Sequence, residues 1–410
     1  MSVITPSLPR QAQDAHEAQI SEFAPMRMLD IELSEPLPVL FAFDRKTVQF
    51  YQRALCLVRL HTHPLGLVEL HFAGDELRPQ EYAGLIWEVL GPYINSHLQQ
   101  DGLAPLSALN VTGVPSSSTP RCIEERERFL EHAPFISVIV PTRNRPDLVQ
   151  RCLDELLGLR YPNYEIIIVD NAPKDEATAD LIKQAYADKP QIRYVREDRP
   201  GVANARNRGM HVAQGSILAY VDDDVTIDPH LLTDLARGFD AAQNVVCVTG
   251  NILPLELETP AQFLLEGYGG YSKGFAQQIF DLKEHRPANE PLYPYTAGHF
   301  GAGANMAFKA AYLRSVGGFD NRFEFGSDIE ALFQVVVRGY RLVYEPTALV
   351  RHPHYRDYAK LKKVVYNYGV GMTAYLTKAM LDRPSRLLEL ITKIPYGIYF
   401  VLSSKSPKNQ

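Results

Sequence analysis

The stretch ILAYVDDDV, residues 217–225, runs five apolar residues straight into three consecutive carboxylates. So short an apolar run, bounded by acid, has the length of a buried strand rather than of a helix. The same texture recurs upstream. Residues 136–140 (ISVIV), 165–170 (EIIIVD) and 192–195 read as strands, and 146–157, 176–187 and 202–213 read as the helices between them, the first opened by Pro146. Strands alternating with helices require parallel βαβ units, hence an α/β fold on a mostly parallel sheet with flanking helices. In such open sheets ligands gather beyond the carboxyl ends of the strands, so Thr142, Asp170 and Asp222 are expected on one rim.

Three adjacent carboxylates repel one another unless a cation or hydrogen-bond donors hold them. A hard divalent ion, Mg²⁺ or Mn²⁺, prefers oxygen ligands and is commonly bound by one or two carboxylates plus substrate phosphates, which suits an Asp-x-Asp spacing. The plainer alternative is a solvated acidic loop, with Asp228 ahead of Pro229 opening the next helix. The run also spells the Asp-x-Asp-x-Thr of haloacid-dehalogenase-like phosphatases, whose first Asp is a nucleophile. That motif sits on the first strand of its domain, whereas this one follows the fourth. Asp170 at a strand's carboxyl end suits a base N–H or a ribose hydroxyl, or caps the following element. Asn204, Arg206 and Asn207 open a helix whose amides and guanidinium attract phosphate, or simply form its polar face.

The chain has 410 residues, 46% hydrophobic and 22% charged, so a large core is available and disorder is not expected away from the ends. Four widely spaced cysteines spell neither a zinc knuckle nor a disulfide framework, which fits a reducing cytoplasm. No leader pattern opens the chain and no run approaches the roughly 20 apolar residues of a membrane span, so a cytoplasmic protein is expected. Residues 351–410 carry eleven Lys and Arg against three Asp and Glu, although the net charge is −6. This basic tail either lies on an anionic membrane surface or packs against the acidic remainder of the chain. The expected organisation is a flexible arm (1–35), a small ββα module (36–109), a Ser/Thr/Pro-rich linker (110–128), the α/β domain (129–354, divided at 225/226) and a basic helical extension (355–410).

Six ordered blocks, SVIVPTRNRP (137–146), IIIVDNAP (166–173), GVANARNRG (201–209), ILAYVDDDV (217–225), GGFDNRFEFGSDIEALFQVVVRGYRL (317–342) and VRHPH (350–354), resemble glycosyltransferase family 2 with the GT-A fold. The resemblance implies a Rossmann-like sheet and an inverting transfer of a hexose or N-acetylhexosamine. The donor would be a nucleoside diphosphate sugar, UDP-linked by preference, and the acceptor a glycan, a lipid-linked or a small-molecule hydroxyl compound; no nucleic-acid partner is expected. It assigns Pro141, Thr142, Arg143, Asp170, Asn204, Arg206 and Asp222 to the donor. Asp224, Asp222 and His352 are assigned to the metal, with no role for Asp223. Where the family has an acidic pair opening a helix, this chain has Ser327-Asp328-Ile329-Glu330, leaving Asp328 as the expected catalytic base, Glu330 as second choice and Ser327 as a helix cap. Gln334 stands where the family often has Arg. Aromatic residues Tyr268, Tyr271, Phe275, Tyr293 and Tyr295, with His299, fall where the family shapes its acceptor site, or else pack their own loop. The alternatives are a non-catalytic sugar-nucleotide or glycan-binding protein on the same fold, and a nucleotidyltransferase. The latter would carry a Gly- and Arg-rich triphosphate loop, which PTRNRPDL does not spell.

Overall fold

The computed structural model describes residues 23–114, 118–288 and 290–403; most of the expected arm, part of the expected linker and the last seven residues lie outside them. The chain forms two compact units, one of residues 1–117, 256–267 and 354–361, the other of 118–255, 268–353 and 362–410.

In the first unit β1 (Met26–Glu32), β2 (Arg53–Leu60) and β3 (His63–His71) form a sheet in that order, β1 parallel and β3 antiparallel to β2. Helix α1 (Pro79–Gln100) buries Tyr82, Ile86, Leu90, Ile94 and Leu98, spaced three to four apart, in the core formed with the strands. The ββα expectation thus gains a strand. β1 lies within residues read as a flexible arm, because Arg27 and Asp30 blur its alternation and only its partner β2 makes it a strand. Residues 256–267, expected in the α/β domain, also belong here: the Leu257 carbonyl accepts a bond from the Met26 amide at 2.9 Å.

Within the second unit the expected linker ends in a helix, α2 (Arg121–Leu130), whose charge density hides a buried Arg126. There follow β4 (Ile136–Thr142), α3 (Pro146–Leu157), β5 (Tyr164–Asn171), α4 (Ala177–Ala185), β6 (Ile192–Glu197), α5 (Val202–Val212) and β7 (Ile217–Val221). Next come β8 (Thr226–Ile227), α6 (Leu231–Gly238), β9 (Val245–Pro254), β10 (Gln278–Phe280), β11 (Asn305–Lys309), α7 (Ala310–Ser315), α8 (Ser327–Val337) and β12 (Arg341–His352). Two helices, α9 (Tyr358–Asp382) and α10 (Ser385–Leu402), close the described chain.

Among the described residues the sheet has nine strands in the order β6-β5-β4-β7-β11-β9-β12-β8, with β10 on β12. The first four are mutually parallel, and β11 runs antiparallel to both its neighbours. Helices cover both faces, so Ile139 and Ile167 enter one core while Val138, Val140, Ile166 and Ile168 enter the other. Burial on both sides is why these strands read as unbroken apolar runs. Among the described residues no helix is long and apolar enough to cross a membrane.

Candidate active site

The ladder places the expected residues on one rim. Thr142 pairs with Asp170 across β4 and β5, Val221 at the end of β7 pairs with Asn305, and His352 at the end of β12 pairs with Pro254. The Asp run therefore leaves β7 between the end of β4 and the start of β11.

The three carboxylates divide. Asp222, Asp224 and His352 each offer a ligand atom, all within 4.8 Å of one another. The Asp224 Oδ1 is buried, has no hydrogen-bond partner and lies 3.7 Å from His352 Nε2. Burial pushes the Asp222 carboxyl above its usual range, opposed by the Arg206 and His352 charges and reinforced by Asp224 and Asp328. Two carboxylates and an imidazole, one oxygen orphaned, form a donor set that fits Mg²⁺ or Mn²⁺, the nitrogen favouring the latter. Asp223 points elsewhere: it accepts the Thr142 hydroxyl at 2.6 Å and the Arg145 guanidinium at 3.1 Å. Burial raises its carboxyl while those two donors lower it.

Facing this group, Arg206 on α5 is buried, sits 5.5 Å above the Phe319 ring and brings Nη2 to 4.0 Å from Asp222 Oδ1. Asp328, in the first turn of α8, accepts the Gly303 amide at 2.8 Å. Gly326, in the left-handed region at φ 80°, caps α8, so the expectation that Ser327 caps it is corrected: Ser327 lies inside the first turn with its buried hydroxyl unbonded. Glu330 is not brought to the Asp222 group. It accepts Lys378 Nζ at 2.5 Å and Gln334 Nε2 at 2.7 Å, lining a cavity of about 710 Å³ with Arg322 and Arg386. The second-choice base is thus ion-paired with the cation of α9.

Residues 137–279 match the family model described as Glycosyl transferase family 2. That stretch belongs to the family. Glycosyltransferase AglE of Haloferax volcanii is 27% identical over 62% of this chain and 76% of its own length. The pre-mycofactocin glycosyltransferase of Mycobacterium tuberculosis is 27% identical over 53% of this chain, which spans only 43% of that relative. Among solved structures, the mannosyltransferase PcManGT from Pyrobaculum calidifontis, in complex with GDP-Man and Mn²⁺, matches with a TM-score of 0.43. It is 20% identical over 63% of this chain and 70% of its own. S. aureus TarS in complex with UDP-GlcNAc gives a TM-score of 0.41 and 18% identity over 54% of this chain and 59% of its own. Scores this low add nothing to the family match and the strand order.

In the glycosyltransferase domain the remaining expected donor residues are placed as follows. Asp170 is fully buried at the end of β5, its Oδ2 accepting the Tyr194 hydroxyl at 3.1 Å while Oδ1 has no partner. Burial raises its carboxyl. Pro141 and Thr142 end β4, and Arg143 is exposed beyond it. Asn204 bonds the Pro200 carbonyl at 2.9 Å and Asn321 at 3.3 Å, which fits a loop clasp at the start of α5. Of the aromatic residues, Tyr293 and Tyr295 are core, whereas the Tyr271 ring stands edge-on to His352 at 5.6 Å.

Four contributors escape the sequence. Arg145 bridges Asp223 and Asp224, and Asp223 itself ties the Asp run to β4. Asn171 accepts the Gly201 amide at 2.8 Å and donates to the Arg199 carbonyl at 2.8 Å, fixing the loop that starts α5 and so aims Arg206. Gly303 carries the amide that holds Asp328; a Cβ there would fall 2.2 Å from Arg206 Nη2. Arg145, Asn171 and Asp223 lie inside quoted blocks, whereas Gly303 lies outside all six.

Proposed function

We propose that this protein is a metal-dependent, inverting glycosyltransferase. It moves a hexose or N-acetylhexosamine from a nucleoside diphosphate sugar to an acceptor hydroxyl in polysaccharide, glycolipid or glycoconjugate synthesis. The observation that carries the reading is the convergence of Asp222, Asp224 and His352, with Arg206 beside them and Asp328 held separately by a backbone amide. Asp222, Asp224 and His352 hold Mg²⁺ or Mn²⁺, which when bound neutralises charge on the leaving diphosphate. Asp170, through its unpaired buried oxygen, accepts from the nucleoside, and Thr142 and Pro141 wall that side. Arg206 adds a fixed positive charge next to the phosphates, kept in place by Phe319 and costing no reorganisation during the reaction. Asp328 takes the acceptor's proton; the Gly303 amide orients it for a single displacement. A UDP donor is favoured by the block resemblance, and the solved neighbours named above carry GDP-Man or UDP-GlcNAc.

The second reading, a non-catalytic sugar-nucleotide or glycan binder, draws on Ser327 in place of an acid and on Glu330 being occupied by Lys378. Turnover separates the two. Thermal-shift screening of UDP-, GDP- and dTDP-sugars with and without Mn²⁺ selects the donor, and release of nucleoside diphosphate tests the reaction. Binding without release by any acceptor extract would leave only the second reading, and no binding at all would remove both.

Four free cysteines support a reducing, cytoplasmic setting. Helix α10 exposes Leu387, Ile391, Ile394 and Ile398 along one stripe, in a basic tail. This arrangement supports peripheral contact with an anionic membrane face, where a lipid-linked acceptor resides. Flotation with phosphatidylglycerol vesicles, abolished by Ile391→Glu with Ile394→Glu, tests it; equal flotation of the double variant counts against it.

A further inference from the structure

The first unit contains a buried polar cluster unrelated to the glycosyltransferase rim. His61 Nδ1 lies 2.8 Å from Asp101 Oδ2, His97 Nε2 lies 3.1 Å from the same oxygen, and the two ring nitrogens are 3.3 Å apart. All three side chains are at most 8% exposed. Hydrogen bonding satisfies only two of these contacts. Each neutral imidazole has one proton, and once both protons point at the carboxylate oxygen the nitrogen pair is left with no proton between them. A single ion satisfies all three. Metal–ligand bonds of about 2.0–2.1 Å in a tetrahedral site put donor atoms roughly 3.3 Å apart, close to the spacings seen.

Asp101 follows the last residue of α1, so its buried carboxylate stands beside the negative pole of the helix, where a cation is favoured. The backbone is also committed to presenting His61. His61 and Thr62 form the β2–β3 turn at φ 55° and 68°, left-handed conformations that β-branched and bulky residues adopt at a cost. Glu32 clamps the turn, its two carboxylate oxygens accepting the His61 and Thr62 amides at 2.9 Å each. His97 and Asp101, four residues apart, then face it from the last turn of α1.

We propose that His61 Nδ1, His97 Nε2 and Asp101 Oδ2 bind a zinc ion that ties the β2–β3 turn to the end of α1. The imidazole-rich donor set, on two elements of one small unit, suits a transition metal rather than a second Mg²⁺ ion, and leaves a fourth position for water.

The full chain, purified without chelator, is to be analysed for metal by mass spectrometry and for its thermal midpoint before and after chelation. The cobalt-substituted protein is to be examined for visible ligand-field absorption. About one zinc per chain is expected to survive gel filtration, with chelation lowering the midpoint and zinc restoring it. His97→Gln and Asp101→Asn should lose the zinc, while Asp224→Asn on the glycosyltransferase rim should keep it. Should those two variants fail to fold, the wild-type chelation and cobalt measurements decide the question. A chain that carries no zinc and whose midpoint responds neither to chelator nor to added zinc overturns the proposal. So does zinc retained undiminished by folded His97→Gln and Asp101→Asn.

Discussion

Gly303→Ala probes the most demanding contact in the site. The new Cβ would stand 2.2 Å from Arg206 Nη2 and 2.7 Å from Asp328 Oδ2, where ordinary contact begins at 3.4 Å. With the backbone fixed, the guanidinium must retreat about 1.2 Å and the carboxylate about 0.7 Å to restore that separation. Neither has slack. Arg206 is only 5% exposed and lies over Phe319, and Asp328 is held by the amide of the very residue that is changed. A misplacement near 1 Å costs on the order of 100-fold in rate, equivalent to about 2.7 kcal/mol of barrier. Nucleoside diphosphate release at saturating donor should therefore fall about 100-fold. Mn²⁺ binding should persist, since neither Asp224 nor His352 is among the atoms that the Cβ would meet. Gly298→Ala, whose Cβ meets nothing within 4 Å, is the matched control. A Gly303→Ala enzyme turning over within about threefold of wild type, under half a logarithmic unit of rate, would show that Arg206 and Asp328 need not be so placed.

Asp224→Asn should abolish Mn²⁺-dependent donor binding in calorimetry, and undiminished binding would remove Asp224 from the metal. Asp328→Asn should bind donor as wild type does yet lose at least about 100-fold in kcat, at the lower end for a missing general base; full turnover would exclude Asp328. Glu330→Gln should leave kcat near wild type while destabilising the fold by a few kcal/mol in urea unfolding, since it strips a buried partner from Lys378, and a catalytic defect without loss of stability would restore Glu330 as a candidate base. Burial in α6 pushes the Asp234 carboxyl up to about 7, partly offset by Arg126. The folded state then holds the proton more tightly than the unfolded chain, so its stabilising effect is full below pH 4 and is lost as pH rises through 7. Asp234→Asn should flatten the fall in thermal midpoint between pH 4 and 8, and parallel curves would refute this.

The parallel half of the sheet was legible because strands covered on both faces must be apolar throughout, and such runs stand out between amphipathic helices. That regularity also placed Thr142, Asp170 and Asp222 together, since the carboxyl ends of parallel strands share a rim. What escaped depends on partners distant in sequence. β1 is a strand only because β2 offers it an edge, and the helix at 260–267 joins the first unit despite interrupting the α/β domain. Glu330 reads in sequence as the second-choice base, and its ion pair with Lys378, 48 residues later, is visible only in the fold. Gly303 looks like any loop glycine, because its closeness to Arg206 and Asp328 exists only in three dimensions.

The Asp run shows where sequence reasoning stops and electrostatics takes over. Its conspicuousness comes from mutual repulsion, which a divalent cation relieves for two carboxylates but not easily for three. The fold sends the middle one inward, where Thr142 and Arg145 supply donors, and leaves the outer two beside His352. Asp223 therefore carries a definite duty. Its bond from Thr142 ties the run to the end of β4, the strand beside β7. Arg145 shares its guanidinium between Asp223 and Asp224, at 3.1 and 3.3 Å, and so holds a positive charge against the Asp224 oxygen not facing His352. The spacing that looks like Asp-x-Asp in sequence is thus an Asp-Asp-Asp arrangement in which the central residue is bonded to Thr142 and Arg145 and the outer two gather beside His352.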